Sequence, residues 1–232
     1  TILNNSIHHS GGTEVKIISE WTPESVKLTI GDNGIGIFRK IKNAFDLKDE
    51  RESILHLSKG KLTTNRENHT GEGIFFTSRA FDNFQILSKG LSYIRDNKNE
   101  DWFLGSMMAL VFAGTAIKMT INLNSKRKLQ NVFSEYVEDN IDGIPKFVKT
   151  NIIVKLSRLG GEQYISRSQA RRVVLGLENF KYVILDFKHV SVVGQGFVDE
   201  VFCIFKTKYS KTRIEYKNAN DNVKFMIERS LT

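Results

Sequence analysis

The sequence predicts an α/β protein of two domains, and three observations carry that expectation. In the first half, alternating strand patterns at Glu14 to Ser19 and Ser25 to Ile30 are followed by helical patterns at Ile37 to Phe45 and Ile74 to Phe81, then by strands at Phe84 to Ser88, Leu91 to Arg95 and Gly114 to Leu123. Past residue 150 strands and helices alternate strictly: strand Ile152 to Leu156, helix Ser168 to Leu177, strand Tyr182 to Phe187, helix Phe197 to Phe205, strand Arg213 to Tyr216, helix Asn222 to Leu231. That order, with the continuous apolar run Val183-Ile184-Leu185, describes a small domain whose largely parallel sheet is covered on its faces. The third observation is size: 232 residues, 40% of them hydrophobic, suffice for two small cores. The expected division is 1–128, a connector over 129–149, and 150–232.

Residues 1 to 10 read as the end of a helix, with Leu3 and Ile7 on one face and Asn5 and His9, also four apart, on another. Adjacent His8 and His9 point apart on a helix, which argues against zinc and leaves His9 a packing or supporting role. Gly11-Gly12 closes the helix, and Trp21-Thr22-Pro23-Glu24 joins the first two strands as a hairpin. In the second strand Val26, Leu28 and Ile30 form the buried face, and Asp32 continues it, aiming a carboxylate at the core. Such a group needs a donor, which a ligand can supply. Gly34 and Gly36 then let the backbone turn sharply before the helix that starts at Ile37.

Residues 46 to 73 are mostly polar and read as a lid, with Lys59, Lys61 and Arg66 as its cations. Gly71-Glu72-Gly73 follows, presenting backbone N–H groups at the start of the helix from Ile74, where the helix dipole favours an anion. In the strand from Gly114, Thr115, Ile117, Met119, Ile121 and Leu123 share one face, so the Thr115 hydroxyl needs a partner. It either joins a site with Asp32 or simply fills a strand.

The asparagine helix, the Asp32-Asn33-Gly34-Ile35-Gly36 turn, the box His69-Thr70-Gly71-Glu72-Gly73 and the pair Gly114-Thr115, in this order, resemble the ATP-binding fold shared by gyrase, the Hsp90 chaperones, histidine kinases and mismatch-repair ATPases, the GHKL type, and in particular anti-sigma-factor kinases. The resemblance covers about residues 1 to 124. It implies a two-layer α/β sandwich binding ATP and Mg. Asp32 would bond the adenine amine, with Thr115 closing the base site. Asn5 would give its side-chain oxygen to the magnesium ion. Gly34, Gly36, Gly71 and Gly73 would allow close backbone approach, and Lys59 and Thr70 would stand by the phosphates. Where that family carries a glutamate that polarises water, this chain has Thr1. A threonine hydroxyl cannot act as a base near neutral pH, so hydrolysis is expected to be slow or absent, unless the first residue is not native.

The segment Val183 to Phe197 resembles STAS-like domains related to anti-anti-sigma factors, in which a strand, a turn and a helix present a serine to a partner kinase. Here that turn is Gly194-Gln195-Gly196, without a hydroxyl, and Ser191 lies before it. The pairing of the two modules in one chain resembles a family of bacterial regulatory proteins. It implies a signalling protein in which a nucleotide-dependent lid gates the STAS-like domain or a protein partner. Alternatives are an active ATPase or an anti-sigma-type serine kinase, and a transcription regulator that binds DNA through its basic C-terminal domain.

Charge bears on that last alternative. Lys and Arg number 34 against 26 Asp and Glu, a net +8. In 150–232, 14 basic residues face 8 acidic ones, leaving +6, whereas 20 against 18 leave +2 in 1–149. The helix opening Ser166-Arg167-Ser168-Gln169-Ala170-Arg171-Arg172 carries residue types that read base edges, but no helix-turn precedes it. One cysteine, Cys203, suits a reducing compartment, and the longest apolar run, Trp102 to Ala113, is too short to span a bilayer. The expected location is cytoplasmic.

Overall fold

Strand β2 (Ser25–Asp32) lies inside a six-stranded sheet and carries the chain into a cavity. The sheet order is β1-β2-β6-β3-β4-β5, with β1 at Val15–Trp21, β3 at Asn83–Ser88, β4 at Leu91–Asp96, β5 at Asp101–Ser106 and β6 at Thr115–Asn122. Every neighbouring pair is antiparallel. The computed structural model describes residues 1–61, 71–99, 101–106, 113–139, 143, 145–157 and 164–231. They form two units, Thr1–Leu57 with Leu62–Phe133, and Ser58–Lys61 with Ser134–Thr232.

In the first unit the register aligns Ile17, Ile30, Ile117 and Ile86 in one row across four strands. Ile30, Ile117 and Ile86 are buried, as are Phe84 and Met119 in the next row, while Ile17 at the sheet edge is open. Helix α1 (Ile2–His9) contacts β2 and helix α4 (Gly73–Ala80) contacts β3. Helix α2 (Ile37–Ala44) buries Phe38 and Ile41, whose i, i+3 spacing puts both on one face of a helix. The mixed α/β character is as expected, with an antiparallel sheet.

Two local expectations need correcting. Val26 and Leu28 are only partly buried, because Val26 pairs with Trp21 at the open end of the sheet, where the indole is 79% exposed. The stretch expected to be a polar lid instead holds helix α3 (Glu50–Lys59), which buries Ile54, Leu55 and Leu57. Its start is set by Asp49, whose carboxylate accepts from the Arg51 N–H at 2.8 Å. Arg51 in turn holds the Asp49 carboxyl below the usual aspartate range through a side-chain hydrogen bond. The remainder of the expected lid, 62–70, lies outside the described residues, as does 107–112 of the apolar run whose start forms β5.

The second unit holds three parallel strands in the order β11-β10-β9, at Arg213–Lys217, Tyr182–Asp186 and Lys149–Ile153. A short hairpin, β7 (Val137–Asp139) with β8 (Pro145–Phe147), precedes them, and helix α5 (Leu129–Tyr136) stands before the hairpin. The expected connector thus contains regular structure. β9 begins three residues before the expected strand, and Val154–Ser157 is a 3₁₀ turn. Helices α6 (Arg167–Val174), α7 (Gln195–Val198), α8 (Lys206–Lys208) and α9 (Asp221–Leu231) follow, and Asp199–Phe205 between α7 and α8 is π-helical. Val183 and Leu185 on β10 are buried, as are Val173 and Val174 on α6 and Val201 and Phe205 on the π-helical turn, whereas Ile204 of that turn is exposed.

Candidate functional site

The first unit contains a cavity of about 240 Å³, below the ~300 Å³ where ligand pockets usually begin, lined by α1, the β2–α2 turn, the start of α4 and β6. Thr1, which precedes α1, reaches it together with Asn5 and His9 of that helix, at four-residue spacing. Asp32 and Gly36 reach it from the turn, Gly71 and Gly73 from the approach to α4, and Thr115 from β6. Asp32 and Thr115, 83 positions apart in the chain, are thus brought together by the pairing of β2 with β6.

Asp32 is 5% exposed. Its Oδ1 accepts from the Gly34 N–H at 3.0 Å and the Thr115 N–H at 3.1 Å. Its Oδ2 has no hydrogen-bond partner among the described residues. A carboxylate held rigidly through one oxygen, with the other left for the cavity, is arranged to accept from a ligand N–H or O–H. The Thr115 hydroxyl accepts from the Ile37 N–H at 2.8 Å and lies 3.4 Å from the Ser88 hydroxyl. The partner that this buried hydroxyl requires is therefore supplied by the first turn of α2, which it ties to β6.

Glycines shape the same corner by close approach. A Cβ on Gly34 would overlap the Ser10 carbonyl, which also accepts from the Ile35 N–H at 2.9 Å. A Cβ on Gly114 would overlap Asp32 Oδ1 and the Gly34 nitrogen. Gly36 has φ +93°, a left-handed backbone that side chains rarely adopt. Gly34 is thus part of the wall behind Asp32, without lining the cavity itself.

Asn5 is half-buried, and its side-chain amide has no hydrogen-bond partner among the described residues. Lys40 of α2 is a site residue that sequence reasoning missed. It lines the cavity and donates to the His9 carbonyl, and burial lowers its pKa from the ordinary lysine value. The signal was available: Ile37, Lys40 and Ile41 are spaced i, i+3, i+4, so a lysine shares the inward face of α2 beside the glycine turn. Ser10 was missed as well, because it sits one residue past the end of α1.

Lys59 does not join this cavity. It belongs to the second unit, is 3% exposed, and donates to the Arg172 and Leu175 carbonyls at 2.8 and 2.9 Å. It caps the C-terminal end of α6, where a cation suits the helix dipole. Thr70 lies outside the described residues. Among those described, no group of three or more His, Cys, Asp or Glu could hold a metal ion, and no helix is long and apolar enough to cross a membrane.

In the second unit, Gly194 precedes α7, and a Cβ there would sit 2.8 Å from the Ile165 backbone. The glycine of this turn is explained by that approach. Ser191 is exposed and lies before the turn, as expected. The base-reading types on α6 are otherwise occupied. Gln169 completes a capping box with Ser166, accepting from the Ser166 N–H at 3.0 Å, and is 7% exposed, while Arg171 pairs with Glu200 at 3.1 Å.

Parallel strands joined through helices that pack on one another define the second unit as a small α/β domain. Residues 169–224, from within α6 to within α9, match a STAS-like domain of unknown function (DUF4325), so the C-terminal part of the chain contains a STAS-like domain. No curated protein and no solved structure matches the chain.

Proposed function

We propose that the first unit is a GHKL-type module that binds ATP with magnesium, and that nucleotide binding regulates the STAS-like domain or a protein partner. The observation that carries this reading is Asp32, a buried carboxylate fixed through Oδ1 by two backbone amides. Its remaining oxygen suits the exocyclic amine of adenine. Guanine would present a carbonyl to the same oxygen and be repelled. The cavity residues fit the rest of the nucleotide. Gly71 and Gly73 bring backbone N–H groups and the unsatisfied end of α4 to the cavity, and Lys40 adds a cation, all suited to phosphate oxygens.

Asn5 is the residue that would contribute an oxygen to magnesium. A single protein oxygen accords with a Mg²⁺ ion that keeps waters and is held mainly by phosphates, where it would neutralise their charge. Thr1 lines the cavity but offers no base, so this chain is assigned to binding with slow or no hydrolysis. Regulation fits better than phosphorylation of the chain's own STAS-like domain, because the Gly194-Gln195-Gly196 turn has no hydroxyl.

Hydrogen exchange with and without Mg-ATP tests the reading. Increased protection is expected at 32–37 and 71–76, and a change is expected at 194–205, the turn and helix that STAS-like domains present to partners. Protection at the first two segments with 150–232 unchanged would leave ATP binding standing and refute the coupling. No change anywhere would refute both.

A further inference from the structure

We propose that β1 is a dimerisation edge, pairing antiparallel with β1 of a second copy about a two-fold axis at Ile18. β1 ends the six-strand order, with β2 on one side and no strand on the other among the described residues. Lys16 through Trp21 are all exposed, with Ile17, Ile18 and Trp21 at 55, 43 and 79%. Edge strands are normally blunted by charge, proline or a bulge. Within its seven continuously paired residues β1 has no proline and no bulge, and its two charges, Lys16 and Glu20, are of opposite sign.

The hydrogen-bond pattern of the hairpin fixes which groups β1 offers. The Asn33 N–H donates to the Glu14 carbonyl at 3.3 Å, and the Thr22 N–H donates to the Ser25 carbonyl at 2.9 Å. Hydrogen-bonded and non-bonded pairs alternate along an antiparallel ladder. Lys16, Ile18 and Glu20 therefore direct their peptide groups to β2, and Val15, Ile17, Ser19 and Trp21 direct theirs outward. Rotation about Ile18 sets Val15 opposite Trp21 and Ile17 opposite Ser19, so outward-facing groups meet outward-facing groups. An axis between two residues would fail that test.

The side chains select the same axis. About Ile18, Lys16 faces Glu20 of the copy twice, and Ile18 faces its own copy. An axis at Ile17 or Ser19 would set Ile18 against Lys16 or Glu20 and lose both charge pairs. Opposite charges across an antiparallel pair favour it, and like charges oppose it. The existing contact of Lys16 with Glu14, at 3.3 Å between side chains 55 and 56% exposed, is a surface pair that is easily exchanged. On the other face, Ile17 already continues the row of Ile30, Ile117 and Ile86. Pairing would carry that row across the axis and place Trp21 on Val15 of the copy, with Ile17 of the copy on the diagonal.

Sedimentation of the full chain tests the proposal, with circular dichroism as a check on folding. Wild type is expected to show a concentration-dependent species of twice the 26.5 kDa chain. Lys16→Glu and Glu20→Lys, each placing two like-charge pairs at the axis, should weaken it about tenfold or more. The double variant Lys16→Glu with Glu20→Lys should restore it. A wild type that stays monomeric, a dimer indifferent to the single changes, or a double variant no better than the singles would each overturn the proposal.

Discussion

Replacing Asp32 by asparagine and by alanine separates the two tasks of this carboxylate. Alanine leaves the Gly34 and Thr115 amides, which Oδ1 satisfies at 3.0 and 3.1 Å, without an acceptor in a buried place. Each orphaned donor costs about 1–3 kcal/mol, so Asp32→Ala should lose about 2–6 kcal/mol of stability. Asparagine keeps an oxygen for both amides and sets an NH₂ where Oδ2 was. Both bonds become neutral, but the buried charge is gone, and the stability loss should be at most about 2 kcal/mol. Ligand binding should respond in a different order. A hydrogen bond from adenine to a charged acceptor is worth about 1.5–3 kcal/mol, so Asp32→Asn should weaken ATP about 10- to 150-fold even though the domain stays folded. Thermal unfolding and calorimetric titration of both variants provide the two readings. An Asp32→Asn protein that binds ATP like wild type would refute the assignment of Oδ2 to the base. An Asp32→Ala protein as stable as wild type would refute the structural role of Oδ1.

The other predictions concern residues around and away from the cavity. Asn5→Ala should change stability by no more than about 0.5 kcal/mol, since its amide has no partner among the described residues, while titrations should show weaker ATP binding with magnesium and little change without it. Gly114→Ala should destabilise the first unit by about 1–3 kcal/mol, because its methyl would overlap Asp32 and the Gly34 nitrogen, both seated against backbone; a melting curve matching wild type would contradict that packing. Lys59→Met removes the ammonium that holds the Arg172 and Leu175 carbonyls and should cost about 1–3 kcal/mol in denaturant unfolding, with ATP affinity unchanged; a large loss of affinity at unchanged stability would return Lys59 to the phosphates.

What could be read from the sequence followed from local periodicity. Alternation placed β2, β3, β4, β6 and β10 within a few residues, and the parallel sheet of the second unit followed from strict strand-helix alternation with an apolar run on β10. The register of β2 put Asp32 on the buried face, and β6 put Thr115 beside it. The misses arose where composition hides pattern or where contacts are distant in sequence. The apolar residues of α3 sit among charges, so the stretch reads as polar although Asp49 supplies a helix start. Lys59 was read by its charge, whereas its role is fixed by carbonyls of α6 more than a hundred residues away, which no local pattern encodes. Lys40 could have been found, since its spacing from Ile37 places it on the face that turns toward the glycines. Gly194 illustrates the reverse case, a glycine explained by a neighbouring backbone and by no chemistry of its own.

The most direct measurement is an equilibrium titration of the unmodified chain with ATP and with GTP in the presence of magnesium. Saturable binding of one ATP per chain is expected, with GTP weaker by at least about tenfold, the difference between an amine and a carbonyl facing Asp32 Oδ2. Absence of ATP binding, or equal binding of the two nucleotides, would contradict it.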